Sequence, residues 1–319
     1  MKIIHDEIIT IIKSKTPQEE NPANTLMDIL SISREGAYRR MRGDILLTLD
    51  EVIVIAKKLE ISLDNLIEVH MKKKNPFHIS PYTLNSSLKE YTTTLKEIMD
   101  SYNFIKTDPL SLNFIVCRLP SPVFYFKYLE FSKFVVYKWI YLMLGYPESV
   151  SFSFIHLPSK LKQLYQPFMD ATKQVNTSFI MNDYIFKAFV NDMNYFTATR
   201  LLTREESDII IQQALLIINE MEEVAINGHF ENGNNVSMYI TDIHFDAEYG
   251  YIRGNNFEAC SIGIYGINFL SCMDSSIIKD QKSWIDSLIS YSTLISQDKN
   301  ESKRTDFFKK QREIINSIR

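Results

Sequence analysis

Cysteine is scarce. The 319 residues hold three, Cys117, Cys260 and Cys272, and no C-x-x-C pair. That excludes a disulfide framework and a cysteine-based zinc module, and it fits a reduced, cytoplasmic chain. Glycine is scarce too. Nine glycines leave little material for phosphate-cradling loops. Gly263-Ile264-Tyr265-Gly266 is not followed by a phosphate-loop lysine, and neither G-x-S-x-G nor H-E-x-x-H occurs. Basic charge is not in excess: 35 Lys and Arg face 39 Asp and Glu, a net of -4. The molecule is therefore not a basic nucleic-acid coat, although a small basic surface fits inside that average. A long apolar run is also missing. The most apolar stretch, Phe131 to Leu144, is interrupted by Lys133 and Lys138 and falls short of the roughly 20 residues a membrane span needs. It reads as a buried helix, and no membrane partner is expected. The start, MKIIHDEIITIIK, is broken by His5, Asp6 and Glu7 and does not read as a signal peptide.

Catalytic constellations are missing as well. His229 and His244 flank a late hairpin with Asp242 and Asp246 nearby, which reads as ordinary hairpin polarity rather than a metal site. Glu205-Glu206 and Glu222-Glu223 read as solvated helix faces. The expectation is no enzyme, no metal and no cofactor.

What is present begins at once. Ile4, Ile8, Ile11 and Ile12 recur at the period of one helix face. Thr16-Pro17 and Asn21-Pro22 interrupt the chain, and a short helix over about Asn24 to Leu30 has Leu26, Met27 and Leu30 as its apolar side. Ser31-Ile32-Ser33 makes a tight corner in which Ser33 can cap the next helix. That helix, Arg34 to Arg42, carries Arg34, Arg39, Arg40 and Arg42 against one acid, Glu35, and Gly43 suits its C-terminal end. Thr48 with Glu51 three residues on is a capping box, opening a helix with Val52, Ile55, Ala56 and Leu59 inside. Ser62 caps a fifth helix with Leu63, Leu66 and Ile67 apolar.

The order and spacing of these blocks resemble the lambda-repressor-like (Cro-type) helix-turn-helix family over about residues 1–70. The resemblance rests on Leu30-Ser31-Ile32-Ser33-Arg34, on Tyr38-Arg39-Arg40-Met41-Arg42-Gly43, and on Ala56-Lys57-Lys58-Leu59-Glu60-Ile61-Ser62-Leu63-Asp64-Asn65-Leu66. The chain departs from the family's pattern at Ala23, at Met27 and at Ser31, where the family has Gln, Ala and the turn Gly. The resemblance implies a reading helix in the major groove of double-stranded DNA. Arg34, Glu35, Tyr38 and Arg39 would then read bases, with Ala37 and Met41 inward. Ser33, Arg40, Arg42 and the run Lys72, Lys73 and Lys74 would contact phosphates. The head carries nearly balanced charge, so a homodimer is expected for tight operator binding. Two alternatives are a merely solvated charged face on a small bundle and an antitoxin-like or phage-derived protein-interaction module whose head is a protein contact.

The chain divides by sequence into a helix-turn-helix domain over 1–71, a linker over 72–81 and an effector and dimerisation region over 82–319. In the last part, helical periods alternate with Pro breaks, and residues 114–146 are dense in aromatics. Helices are expected over about 158–173, 181–198, 203–226, 276–296 and 300–318. Strand-like alternation is confined to Val236–Ile243, Tyr249–Ile252 and Phe257–Phe269. Phe307, Phe308, Gln311, Ile314, Ile315 and Ile318 form one stripe on the last helix, suited to the chain's own core or to a dimer contact. The fold class is mainly α: a five-helix head, then a larger α+β body, mostly helical with a small late antiparallel sheet. A small-molecule or protein effector of unknown identity is left open. As a whole the plan resembles that of one-component bacterial regulators.

Overall fold

The computed structural model describes residues 2–16, 21–59, 61, 87–144, 150–231 and 233–318. It divides into two compact units, Met1–Asn75 and Pro76–Arg319. The fifth helix expected after Ser62, the linker and the lysines 72–74 lie outside the described residues.

The first unit is helical throughout its described residues: α1 (Lys2–Lys15), α2 (Pro22–Leu30), α3 (Arg34–Met41) and α4 (Leu49–Leu59). Its core is one cluster of Ile8, Ile12, Ala23, Leu26, Ala37, Val52 and Ile55, one apolar face from each helix. α2 starts two residues before the expected Asn24. The Asn21 side chain caps it by accepting from the Ala23 N–H, and Pro22 sits at its first position, where a missing N–H costs nothing. The expected caps of the later helices form: Ser33 Oγ accepts from the Gly36 N–H, and Thr48 and Glu51 close their reciprocal box.

The second unit is a seven-stranded mixed sheet flanked by helices. After α5 (Ser87–Ile105) come β1 (Leu112–Cys117), α6 (Pro122–Tyr125), α7 (Leu129–Leu144) and α8 (Ser159–Lys173). Then follow β2 (Thr177–Asn182), α9 (Lys187–Ala198), α10 (Arg204–Asn227) and β3 (Val236–Thr241). A meander of β4 (Tyr249–Gly254), β5 (Phe257–Ile264) and β6 (Asn268–Cys272) leads to α11 (Ser275–Ser290), the short β7 (Thr293–Leu294) and α12 (Glu301–Asn316). The strand order is β6-β5-β4-β1-β2-β3-β7. β1, β2 and β3 run parallel, while the β1–β4, β4–β5, β5–β6 and β3–β7 pairs are antiparallel.

The helical head and the larger α+β body match the expected class, but the sheet is larger, earlier and mixed. The strands read from alternation are there, with the long run Phe257–Phe269 split at the Tyr265-Gly266 turn. Alternation does not show three strands: the short β7, which falls where the helix expected over 276–296 has already ended at Ser290, and β1 and β2, which are central. Ile115, Cys117, Phe179 and Met181 face one core while Val116 and Ile180 face the other, so neither strand alternates apolar with polar. β1, β2 and β3 step one way across the sheet, and the helices of both connections share the core on one face. Their aromatics fill the large core there: Phe124 against Phe179, Phe126 stacked on Tyr165, and Phe131 on Phe189. α11 covers part of the other face with Ile278, Ile285 and Leu288. The apolar stripe of α12 belongs to the large core. Phe307, Phe308, Gln311 and Ile315 are all at most 2% exposed, and Ile314 and Ile318 pack at its rim.

Candidate nucleic-acid interface

α3 is a two-turn helix with one side fixed and the other free. Ala37 is fully buried among the residues of the head core, and Met41 packs half-buried beside it. The corner that aims α3 is built at Ser31, which takes a left-handed backbone (φ 53°, ψ 43°) as the C-cap of α2. Ser33 then leaves in extended conformation as the N-cap of α3.

The expected base-reading residues fall on the open side. Arg34, Glu35 and Arg39 are exposed, and neither Glu35 nor Arg39 makes a side-chain hydrogen bond or ion pair among the described residues. The Arg34 guanidinium lies over the Tyr38 ring at 5.8 Å from its centre. Tyr38 is half-buried, and its hydroxyl accepts from the Asn21 amide at 2.6 Å. Tyr38 thus ties the start of α2 to the middle of α3, while its ring carries Arg34.

Of the expected phosphate contacts, Ser33 and Arg42 are exposed. Arg42 pairs with Asp44 at 2.9 Å, a surface pair that an incoming phosphate can displace at little loss. Arg40 lies differently. Its guanidinium turns away from solvent and grips Glu51 with two bonds, Nη2 to Oε1 at 2.6 Å and Nε to Oε2 at 3.2 Å. Nη1 also donates to the Gly36 carbonyl at 3.2 Å. The pair is only 15–18% exposed, so Arg40 braces α3 against α4. Helix phase explains the difference: Arg40 follows the buried Ala37 by three residues and shares its side. Lys72, Lys73 and Lys74 lie outside the described residues.

Two further residues shape the site. Glu51 serves three donors at once, accepting from the Thr48 N–H at 2.9 Å as well as from Arg40. Burial pushes its carboxyl up, but the Arg40 hydrogen bonds and charge together with the Thr48 bonds outweigh that and hold it below the usual glutamate value. Sequence reading found Glu51 as a cap and missed it as a brace, because the partner lies 11 residues away. His5 is buried at 3% exposed. Its Nδ1 accepts from the Leu47 N–H at 3.1 Å, which leaves Nε2–H to donate to the Arg40 carbonyl at 3.0 Å. α1 therefore holds both the exit of α3 and the loop that leads to α4. Nothing in the spacing of His5 signals this, since both its partners are main-chain groups.

In the second unit, His244 and Asp246 are exposed and 3.7 Å apart, while His229 bonds the Phe230 carbonyl. No group of three or more potential metal ligands occurs among the described residues. No described helix is long and apolar enough to cross a membrane.

Residues 2–98 match the family model described as BetR domain, a domain associated with helix-turn-helix regulators. The match covers under a third of the chain, and it runs past the head into α5. No curated protein matches the chain, and no solved structure does.

Proposed function

We propose that this chain is a cytoplasmic, sequence-specific DNA-binding transcriptional regulator of the lambda-repressor-like type. In this reading α3 enters the major groove of an operator half-site and the second unit joins two copies. One observation carries it: α3 is locked on one side by Ala37, Arg40–Glu51 and His5, while Arg34, Glu35 and Arg39 stand exposed on the other. A rigid helix with exposed polar side chains along one face, beginning at its N-terminus, is what base reading requires. The BetR match over residues 2–98 supports a regulatory, DNA-binding head. Arg34 and Arg39 suit guanine edges, and Ser33 and Arg42 suit flanking phosphates.

Selecting DNA from a random pool with the full chain tests the proposal. An enriched motif is the expected result, and an unenriched pool rejects it. A second reading, a protein-contact module, is favoured by Leu49, Ile53 and Val54, which are 73%, 42% and 45% exposed on α4. In that case Leu49→Ser and Ile53→Ser abolish function without changing DNA affinity.

A further inference from the structure

The sheet has two outer strands, and they differ. β7 is two residues long, whereas β6 is five. An edge strand carries unpaired N–H and C=O groups, and folds usually blunt it by brevity, charge or proline. β7 is blunted by brevity. β6 has no such device: from Ala259 to Met273 the chain holds no charged residue and no proline, with Glu258 and Asp274 at the limits of that run. Among the described residues β6 pairs with β5 alone.

The direction of its free groups follows from the ladder. The Gly263 N–H donates toward β4, to the Glu248 carbonyl at 2.7 Å. Gly263 therefore turns its polar groups away from β6, and its register partner Phe269 turns its own away from β5. Ser271, opposite Ser261, repeats that orientation two residues on. The main-chain groups of Phe269 and Ser271 face away from β5, the side on which β6 has no strand partner among the described residues. Leu270 between them is half-buried, and Tyr265 and Met273, at the two ends, are 72% and 65% exposed.

We propose that β6 is the dimerisation surface: two copies of this chain pair antiparallel through β6 about a two-fold axis at Leu270, joining their sheets into one. That axis places Phe269 opposite the partner's Ser271 and Ser271 opposite the partner's Phe269, and each such pair exchanges two main-chain hydrogen bonds. Leu270 meets its own copy at the close, non-hydrogen-bonded position. The occupant is a second copy because antiparallel self-pairing sets Leu270 on its own copy and Phe269 and Ser271 on each other, so that no like charges meet across the axis. The 259–273 run supplies such an uncharged edge. The inference supplies the dimer that the half-site reading calls for, but its geometry stands apart from DNA.

Light scattering on the full chain at micromolar concentration is the first test. The wild type is expected at the mass of two chains. Leu270→Glu places two carboxylates across the axis, and Ser271→Pro deletes an outward N–H while sparing the β5 ladder; both are expected to halve the mass with the circular-dichroism spectrum retained. Should either variant fail to fold, Leu270→Cys decides. In a buffer of oxidised glutathione, two such thiols across the axis lose two protons and two electrons to the glutathione disulfide and run as a covalent dimer on a non-reducing gel. Ser271→Cys, displaced along the strand from its own copy, is expected to stay largely uncrosslinked. A wild-type monomer at tens of micromolar, or a dimer that survives Leu270→Glu and is not trapped by Leu270→Cys, overturns the proposal. A wild-type dimer that selects no DNA motif instead overturns the regulator reading and leaves this interface standing.

Discussion

The Arg40 guanidinium is held from two directions, by both carboxylate oxygens of Glu51 and by the Gly36 carbonyl, while Arg39 beside it has no side-chain partner among the described residues. The two arginines should separate cleanly by mutation. Arg40→Ala leaves a half-buried Glu51 without its cation and is expected to destabilise the first unit by about 1–3 kcal/mol, read by thermal melting. Arg39→Ala is expected to change stability by less than about 0.5 kcal/mol and to lower affinity for the selected operator by about 1–3 kcal/mol, relaxing preference at one base position. An Arg39→Ala variant with unchanged motif and affinity would mean that α3 is placed wrongly.

Two carboxylates give pH predictions of opposite sign. The Glu51 carboxyl sits below its ordinary value of 4.5 in the folded head, so its contribution is present above that value and is lost as pH falls through the folded one. Glu51→Gln should therefore lower the melting temperature at neutral pH and lose that deficit in acid. Burial pushes Glu248 up to about 7, against the pull of Arg118. Stability present below about 4.5 is therefore lost as pH rises through 7. Glu248→Gln is expected to raise the melting temperature of the second unit at pH 8 and to leave it nearly unchanged at pH 4; an equal effect at both would refute a buried carboxyl as the cause.

At the scale of elements, the turn between α2 and α3 stores removable strain. Ser31 occupies the left-handed region that glycine tolerates best, at the position where the resembled family carries glycine. Ser31→Gly is expected to stabilise the head by about 0.5–1 kcal/mol with DNA selection unchanged. A drop in melting temperature would show that the serine makes a compensating contact. α12 makes the larger contribution. With Phe307, Phe308 and Ile315 sealed in the core, residues 1–298 alone should expose an apolar groove and aggregate or melt far earlier than the full chain. A truncated chain that stays folded and dimeric would contradict that placement.

Elements set by local signals were readable from the sequence, and those set by long-range burial were not. Apolar periodicity and caps such as Ser33 and Thr48 located most of the helices, because a cap acts over three residues. β1 and β2 escaped because they are covered on both faces. The helix expected from about residue 181 begins instead at Lys187, since β2 takes the chain to Asn182. At the interface, Arg34, Glu35 and Arg39 were readable from helix phase, but Arg40's inward turn needed Glu51, and His5 needed two main-chain partners that no side-chain pattern reveals.

At the scale of the whole molecule, the reading requires two heads presented together. A single short helix with three exposed polar residues buries too little for tight, selective binding, and the head's balanced charge adds little non-specific attraction. Pairing through β6 would impose two-fold symmetry on the chain, and a symmetric protein should select symmetric DNA. Replacing charge at the α3 surface should also alter salt dependence: Arg42→Ala is expected to weaken all sequences alike and flatten the salt slope by about one unit. Sequence-specific reading by paired heads is decided by sequencing the DNA that the full chain retains from a random pool. The account predicts an enriched, inverted-repeat motif in which Arg39→Ala relaxes one position of each half, whereas a pool that stays unenriched after repeated rounds, with folded protein present, would contradict it.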